Sequence, residues 1–535
     1  MIPSGARSAA ELAHMAIGYL PSGQTIVIPG RQNRPHGGQP DGALCGGRVD
    51  DNGDGRGPRF RGGGAMRLLI VGAGPAGVTA ALQARELGAD VTLLEAEQVG
   101  GINLNRGPAP VRTLARAARL AREWSSWETF GLEGPRPVPN LDAVLANCAR
   151  VARYARDKKD LAGLLSRQGI DLADHLGPVR FTGPHTVIAG DGRSWRGDRI
   201  VITVGCRAAT LRIPGGELAH TYEDIWTLKA MPGRVTVIGG ADTGCQMASI
   251  FADFGAIVRL FEAGPRLVPT ADVIISAALG QAFEAKGIEV ITGASVRALE
   301  PSGEQVTIHF SRGGPVERAT AGAVFAAVGW PANLQDLDLD AAGVTSDPRA
   351  IPVDDYLRTN VSHIFAAGDV NGRSKLVQSA RVEGRVAAWN AVHGPTRRPG
   401  HDVVATGSFT DPEYGSVGMT EDRAAEDHDI AVGIAWYDDL LRAVADGHPD
   451  GFCKLIADRH SYAILGAHVL GNYSAEIVQV VATAMRAGMN VEQLAEMQFA
   501  FPTFTEAISM AAQKVCRNIG IGRFPAAWSY LGRDE

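Results

Sequence analysis

Two stretches of this chain have glycine spacings suited to holding phosphate. Val71-Gly-Ala-Gly-Pro-Ala-Gly77 follows the apolar run Met66-Arg-Leu-Leu-Ile70. Gly72 permits a tight turn, Gly74 lets the backbone approach a pyrophosphate, and Gly77 lets a helix pack closely on the preceding strand. A helix starting here would offer free N–H groups and a partial positive charge to the phosphates. Glu95 ends the next run, Val91-Thr-Leu-Leu-Glu95, where a carboxylate can accept hydrogen bonds from a ribose diol. Val235-Thr-Val-Ile-Gly-Gly-Ala-Asp-Thr-Gly244 repeats the logic, with Ala241 at the middle glycine position. Gly72 and Gly239 are each followed 23 residues later by a glutamate, Glu95 and Glu262. Two dinucleotide sites are therefore expected. Glu262 would repel a 2′-phosphate, which favours NADH over NADPH, with Arg259 and Arg266 as the nearby cations that would serve NADPH. A third feature is Ile364-Phe-Ala-Ala-Gly-Asp369, whose terminal Asp can bond a ribityl hydroxyl or cap a helix aimed at phosphate.

These motifs need strands and helices to place them. After Met66, short β-branched runs alternate with helical patterns, which predicts an α/β architecture. A chain of 535 residues exceeds one core, so two to four domains are expected. The net charge of -6 gives no reason to expect a nucleic-acid partner. No run of eighteen apolar residues predicts a spanning helix. Glu11 and His14 interrupt the short N-terminal apolar stretch, so no signal peptide is read, and a cytoplasmic location is expected. Residues 1–65 are rich in Gly, Arg, Asp and Pro from Gly30 to Gly64. They are expected to form a disordered leader or a gene-model extension, with Met66 as the true start. The six cysteines form no CxxC pair, so no metal site is read and they are expected to be small buried residues.

From Met66 to about Ile521 the chain resembles the class I pyridine nucleotide–disulfide oxidoreductases, which include dihydrolipoamide dehydrogenase, mercuric reductase and soluble transhydrogenase. The resemblance rests on Gly100-Gly-Ile-Asn-Leu-Asn-Arg-Gly107, Ala327-Val-Gly-Trp-Pro331, Ala366-Ala-Gly-Asp-Val370, Phe409-Thr-Asp-Pro-Glu413, Gly415-Ser-Val-Gly-Met-Thr-Glu421 and Ile464-Leu-Gly-Ala-His468. It implies two Rossmann-like dinucleotide-binding domains plus a C-terminal α+β dimerisation domain. The expected division is an FAD domain over 66–205, an NAD(P) domain over 206–329, a return to the FAD domain over 330–400, and a dimerisation domain over 401–535. FAD and NAD(P)H are the implied cofactors and a homodimer is the implied assembly. The cofactor-binding set is Gly72, Gly74, Gly77, Glu95, Gly205, Gly239, Gly244, Gln246, Glu262, Gly329, Gly368, Asp369 and Gln378. Gln378 precedes a helix that in relatives runs beneath the flavin.

The departures from the family pattern carry the functional expectation. The family motif Gly-Gly-Thr-Cys-Leu-Asn-x-Gly-Cys-x-Pro-Ser-Lys holds the cysteine pair that passes electrons to substrate. Its cysteine positions are Asn103 and Pro108 here, and no cysteine lies between Cys45 and Cys148. Neither side chain can form the thiolate that disulfide exchange requires. In Phe499-Ala-Phe-Pro-Thr-Phe-Thr-Glu506, Phe501 stands at the family's acid–base His, while Glu506 remains. The motif Lys near flavin N5 is Arg112, and its Glu partner is Gln246. The expected enzyme is an FAD-dependent NAD(P)H oxidoreductase passing hydride or electrons directly to a small acceptor: a quinone, dye, enone or nicotinamide. Asn103, Leu104, Pro108 and Arg112 would line the acceptor pocket, with Phe501 and Glu506 from a partner subunit. Two alternatives stand beside it: a catalytically retired flavoprotein scaffold, or a specialised flavin dehydrogenase of catabolism or secondary metabolism.

Overall fold

The computed structural model describes residues 65–521. All of the expected leader except Ala65 lies outside these residues, as does Cys45. The chain opens with strand β1 (Arg67–Val71), helix α1 (Pro75–Glu86) and strand β2 (Asp90–Leu94). Two helices follow, α2 (Gly101–Asn105) and α3 (Pro108–Glu123), and later strands β3 (Asp171–Ala173) and β4 (Arg199–Ile202). The second nucleotide unit is β5 (Arg234–Ile238), α4 (Asp242–Asp253) and β6 (Ile257–Phe261). It continues with α5 (Val273–Ala285), β7 (Glu289–Ile291) and β8 (Ala323–Ala326). The chain then returns to the first sheet through β9 (Ile364–Ala366) and α6 (Val377–His393). The C-terminal part contains β10 (Thr406–Ser408), β11 (Tyr414–Gly418), β12 (Ile430–Trp436), β13 (Phe452–Asp458) and β14 (Ile464–Leu470). Its later helices include α7 (Ser474–Arg486) and α8 (Glu506–Ile519).

The first sheet has the order β9-β4-β1-β2-β3 and is parallel throughout. The second runs β7-β6-β5-β8, again parallel. The third, β10-β11-β14-β13-β12, is antiparallel. Burial explains the sequence texture of these strands. On β1, Leu68 and Ile70 pack with Ala80 of α1 and Ala387 of α6, while Leu69 and Val71 pack on the other face with Phe181 and Val187. A parallel strand covered on both faces reads as an unbroken apolar run, and each such side chain contributes about 1.5–3 kcal/mol. Helix α1 starts at the pre-set φ of Pro75. It lies so close to α6 that a Cβ on Gly384 would sit 2.2 Å from the Ala76 carbonyl oxygen. The parallel sheets end in their glycine turns, and both turns face one cavity at the carboxyl ends of the strands.

One buried ion cluster joins the second nucleotide unit to the C-terminal sheet. Lys454 of β13 places its Nζ 2.7 Å from Asp272 Oδ1 and 2.6 Å from Glu421 Oε2. Asp272 caps α5 at Ile274 N–H and accepts the Glu421 N–H at 2.9 Å. Burial alone would raise the Asp272 carboxyl, but these bonds and Lys454 hold it below the usual range. His468 is packed beside it, bonded to Ser416 Oγ and the Met419 carbonyl.

Candidate functional site

The two glycine turns share one backbone construction. Gly72 has φ +103° and Gly239 φ +108°. A Cβ on Gly77 would lie 1.8 Å from the Gly72 oxygen, and one on Gly244 would lie 1.7 Å from the Gly239 oxygen. These glycines are demanded by the protein itself. The middle position differs: Gly74 meets nothing nearer than the Gly101 Cα at 4.0 Å. Ala241 adopts φ -84° and ψ -172°, against -73° and -172° at Gly74, so its methyl is unstrained and projects toward the ligand space. Glu95 accepts the Ala73 N–H at 2.7 Å on one oxygen and the Glu97 N–H at 2.9 Å on the other. Glu262 does the same with Gly240 at 2.7 Å and Gly264 at 2.6 Å. Burial pushes the Glu95 carboxyl upward against the pull of these N–H groups. Each oxygen keeps a further lone pair for a ribose hydroxyl. Arg259 is paired with Glu289 at 2.6 Å, and Arg266 donates to the Pro269 carbonyl at 2.7 Å, so both expected cations already have acceptors.

The cavity has a volume of about 1110 Å³, just above the range of ordinary small-molecule sites. Gly205, Gly329, Gly368 and Asp369 line it together with both turns. The Asp369 carboxylate accepts from Cys206 Sγ at 3.2 Å. Burial raises both groups, so Cys206 remains a thiol. Beneath this turn, the fully buried Glu383 accepts the Gly368 N–H at 2.6 Å and Asn371 Nδ2 at 2.7 Å. Sequence patterning did not mark Glu383, because nothing in its helical neighbourhood distinguishes a buried acid from a solvated one. The five described cysteines are all buried and free.

Asn103, Pro108 and Gln246 also line the cavity. Five expected residues are placed otherwise. Leu104 is buried and Ile102 takes its place on the wall. The Arg112 guanidinium lies 3.9 Å over the Phe409 ring and 3.6 Å from Glu413 Oε1, and is not on the wall. Glu413 is 6% exposed and draws Arg119 as well, at 3.2 Å. Gln378 donates to the Ala405 carbonyl at 2.9 Å, leaving Leu376 and Val377 to face the cavity. Within one chain, Phe501 is 69% exposed and Glu506, half-buried at the start of α8, does not reach the cavity. Burial raises the Glu506 carboxyl. The structure also adds a pair absent from the expected site: Tyr414 donates its hydroxyl to Asp242 Oδ1, both on the cavity wall. Asp242 lies inside the second glycine motif, where only spacing had been weighed.

Residues 66–384 match the family model described as pyridine nucleotide-disulphide oxidoreductase, and residues 404–512 match its dimerisation domain. The chain belongs to the pyridine nucleotide-disulphide oxidoreductase family. It is 32% identical over 450 residues to dihydrolipoyl dehydrogenase of Zymomonas mobilis, covering 82% of this chain and 96% of that one. Mercuric reductase of Lysinibacillus sphaericus is 29% identical, with 83% and 82% covered. Among solved structures, the HOCl-induced flavoprotein disulfide reductase RclA from Escherichia coli superposes with a TM-score of 0.75 at 25% identity, covering 84% of this chain and all of that one. LpdA from Mycobacterium tuberculosis shares the fold, with a TM-score of 0.76 at 22% identity. The family binds FAD and takes NAD(P)H as substrate. The first turn, Glu95 and the Asp369 turn fit FAD, and the second turn with Glu262 fits the nicotinamide nucleotide. Among the described residues, no helix is long and apolar enough to cross a membrane, and no group of His, Cys, Asp and Glu is placed to hold a metal ion.

Proposed function

We propose that this protein is an NAD(P)H:acceptor oxidoreductase that delivers electrons to a small non-disulfide acceptor without a cysteine relay. The observation that carries this reading is the cavity wall at Asn103 and Pro108, where the family's resemblance places two redox cysteines. Cys206, the thiol on that wall, is bonded to Asp369 and held protonated by burial, so it supplies no nucleophile. FAD, when bound, takes two electrons from NAD(P)H and passes them on. The chain's own part is to hold both nucleotides by their phosphates and to leave the acceptor side free of sulfur. A homodimer completes the reading, with Phe501 and Glu506 of a second copy closing the acceptor pocket. The reading also keeps the division into 66–205, 206–329, 330–400 and 401–535.

Stopped-flow mixing of the purified yellow protein with NADH tests it. The flavin absorbance is expected to bleach, and a quinone is expected to restore it. Lipoamide, glutathione disulfide and mercuric ion are expected to restore it at least about 10³-fold more slowly, as when a catalytic nucleophile is removed. Rapid lipoamide turnover would refute the proposal, and no bleaching at all would favour a retired scaffold. NADH is expected to outperform NADPH because Glu262 lines the cavity at the second turn, where it would repel a 2′-phosphate, and Arg259 and Arg266 are engaged. Glu262→Gln should shrink the NADH-over-NADPH ratio of kcat/KM about tenfold, equivalent to ~1.4 kcal/mol. An unchanged ratio would remove Glu262 from nucleotide selection.

A further inference from the structure

We infer that Asp242, oriented by Tyr414, is the charge partner of the nicotinamide ring. Asp242 is the first residue of α4 and is exposed to the cavity. Gln246 lies one turn further along the same helix face and lines the same cavity. Tyr414 comes from β11, is 6% exposed, and donates its hydroxyl to Asp242 across 172 residues of chain. Burial, then the Asp242 charge, pushes the Tyr414 phenol well above its usual range, so it stays a neutral donor. Among the described residues Asp242 has this one side-chain partner and no ion pair. The other acids nearby are engaged: Glu413 by Arg112 and Arg119, and Glu262 by two N–H groups of its own turn. Glu262 and Asp369 share this wall but belong to the ribose-facing turn and the Gly368 turn, so Asp242 is the wall carboxylate with no other role assigned.

An oriented carboxylate in a cavity also lined by apolar groups such as Phe409, Ile250 and Val111 recognises a cation or an N–H donor. The nicotinamide offers both. Its carboxamide carries N–H groups, and its ring becomes a cation when the C4–H bond breaks and the hydrogen leaves with two electrons for the flavin. The dihydronicotinamide is oxidised and the flavin reduced, with no further reactant required. A fixed negative charge beside the ring is worth more to the cationic product, and to the transition state leading to it, than to the neutral reductant. The carboxylate that the family resemblance places at position 246 is Gln here. In this chain the negative charge stands one turn earlier, at Asp242. This assignment rests on nicotinamide nucleotide use by the family and is independent of which acceptor is reduced.

The test is equilibrium titration of the oxidised holoprotein, followed by perturbation of the flavin spectrum. The two ligands are NAD⁺ and tetrahydro-NAD, whose ring is uncharged and cannot give up hydride. Asp242→Asn should weaken NAD⁺ about tenfold relative to tetrahydro-NAD. Tyr414→Phe, which removes only the orienting hydroxyl, should shift the same ratio about threefold in the same direction. Adding Gln246→Glu to the Asp242→Asn protein should restore part of the preference for the cation. Equal weakening of both ligands would overturn the inference and make Asp242 a feature of the helix start alone. An unchanged ratio in both single variants would overturn it too.

Discussion

Gly77→Ala is expected to yield a protein that purifies without flavin and unfolds about 3 kcal/mol more easily, or does not accumulate. The added methyl would lie 1.8 Å from the Gly72 oxygen and 2.8 Å from Thr203 Oγ1. The first of these is backbone, so relief requires α1 to lift from β1 or the turn to open. Thr203 itself is committed, donating to the Gly72 oxygen at 2.7 Å and the Val71 oxygen at 3.0 Å. Either relief moves the N–H groups that would hold a pyrophosphate. Two companion variants separate turn geometry from ligand contact. Gly244→Ala, whose methyl would meet the Gly239 oxygen at 1.7 Å, should keep the yellow colour and slow bleaching by NADH at least about 100-fold, as when a positioned substrate is displaced. Gly74→Ala has no protein atom nearer than 4.0 Å and should melt within about 0.5 kcal/mol of the parent, with its cost confined to flavin affinity. The flavin-to-protein absorbance ratio after gel filtration and the unfolding midpoint decide all three. A fully yellow, stable Gly77→Ala protein would contradict the turn geometry.

Lys454→Met should destabilise the fold by about 3–5 kcal/mol at neutral pH, because it leaves a buried carboxylate without its cation. Lys454 and Asp272 are 3% and 1% exposed, so water cannot substitute for the lost partner. The pH dependence has a definite sign. In the parent the Asp272 carboxyl is held below its ordinary value, so its contribution is present above the unfolded carboxylate range near 3.9 and is lost as pH falls through the depressed value. In the variant the same carboxyl is buried without a cation and titrates higher. The deficit should therefore be largest at neutral pH and should shrink on acidification, as protonation discharges Asp272. Urea unfolding of both proteins at neutral and mildly acidic pH reads the difference. A deficit that does not depend on pH would assign the loss to packing instead of charge.

Tyr414, Arg112 and Lys454 show where sequence reasoning stopped. Arg112 was expected beside the flavin because its motif position implied it, yet a buried acid 301 residues later, Glu413, captures its guanidinium. Gln378 was expected to meet the flavin through its backbone; its side-chain amide donates to the Ala405 carbonyl, and the two residues before it line the cavity. That residues 103 and 108 are Asn and Pro was plain from the sequence, and both positions line the cavity.

What the sequence determined alone is local backbone chemistry: two glycine turns, the strand before each, and the acid that returns to each turn. All of these lie within 23 residues of the first glycine, where spacing dictates φ and the closeness of helix to strand. Tertiary structure decided which side chains satisfy one another across the cavity, as Tyr414 with Asp242, Cys206 with Asp369, and Lys454 with Asp272. These partners are separated by more than 160 residues, and a buried polar group takes whatever complementary group the packing brings within reach.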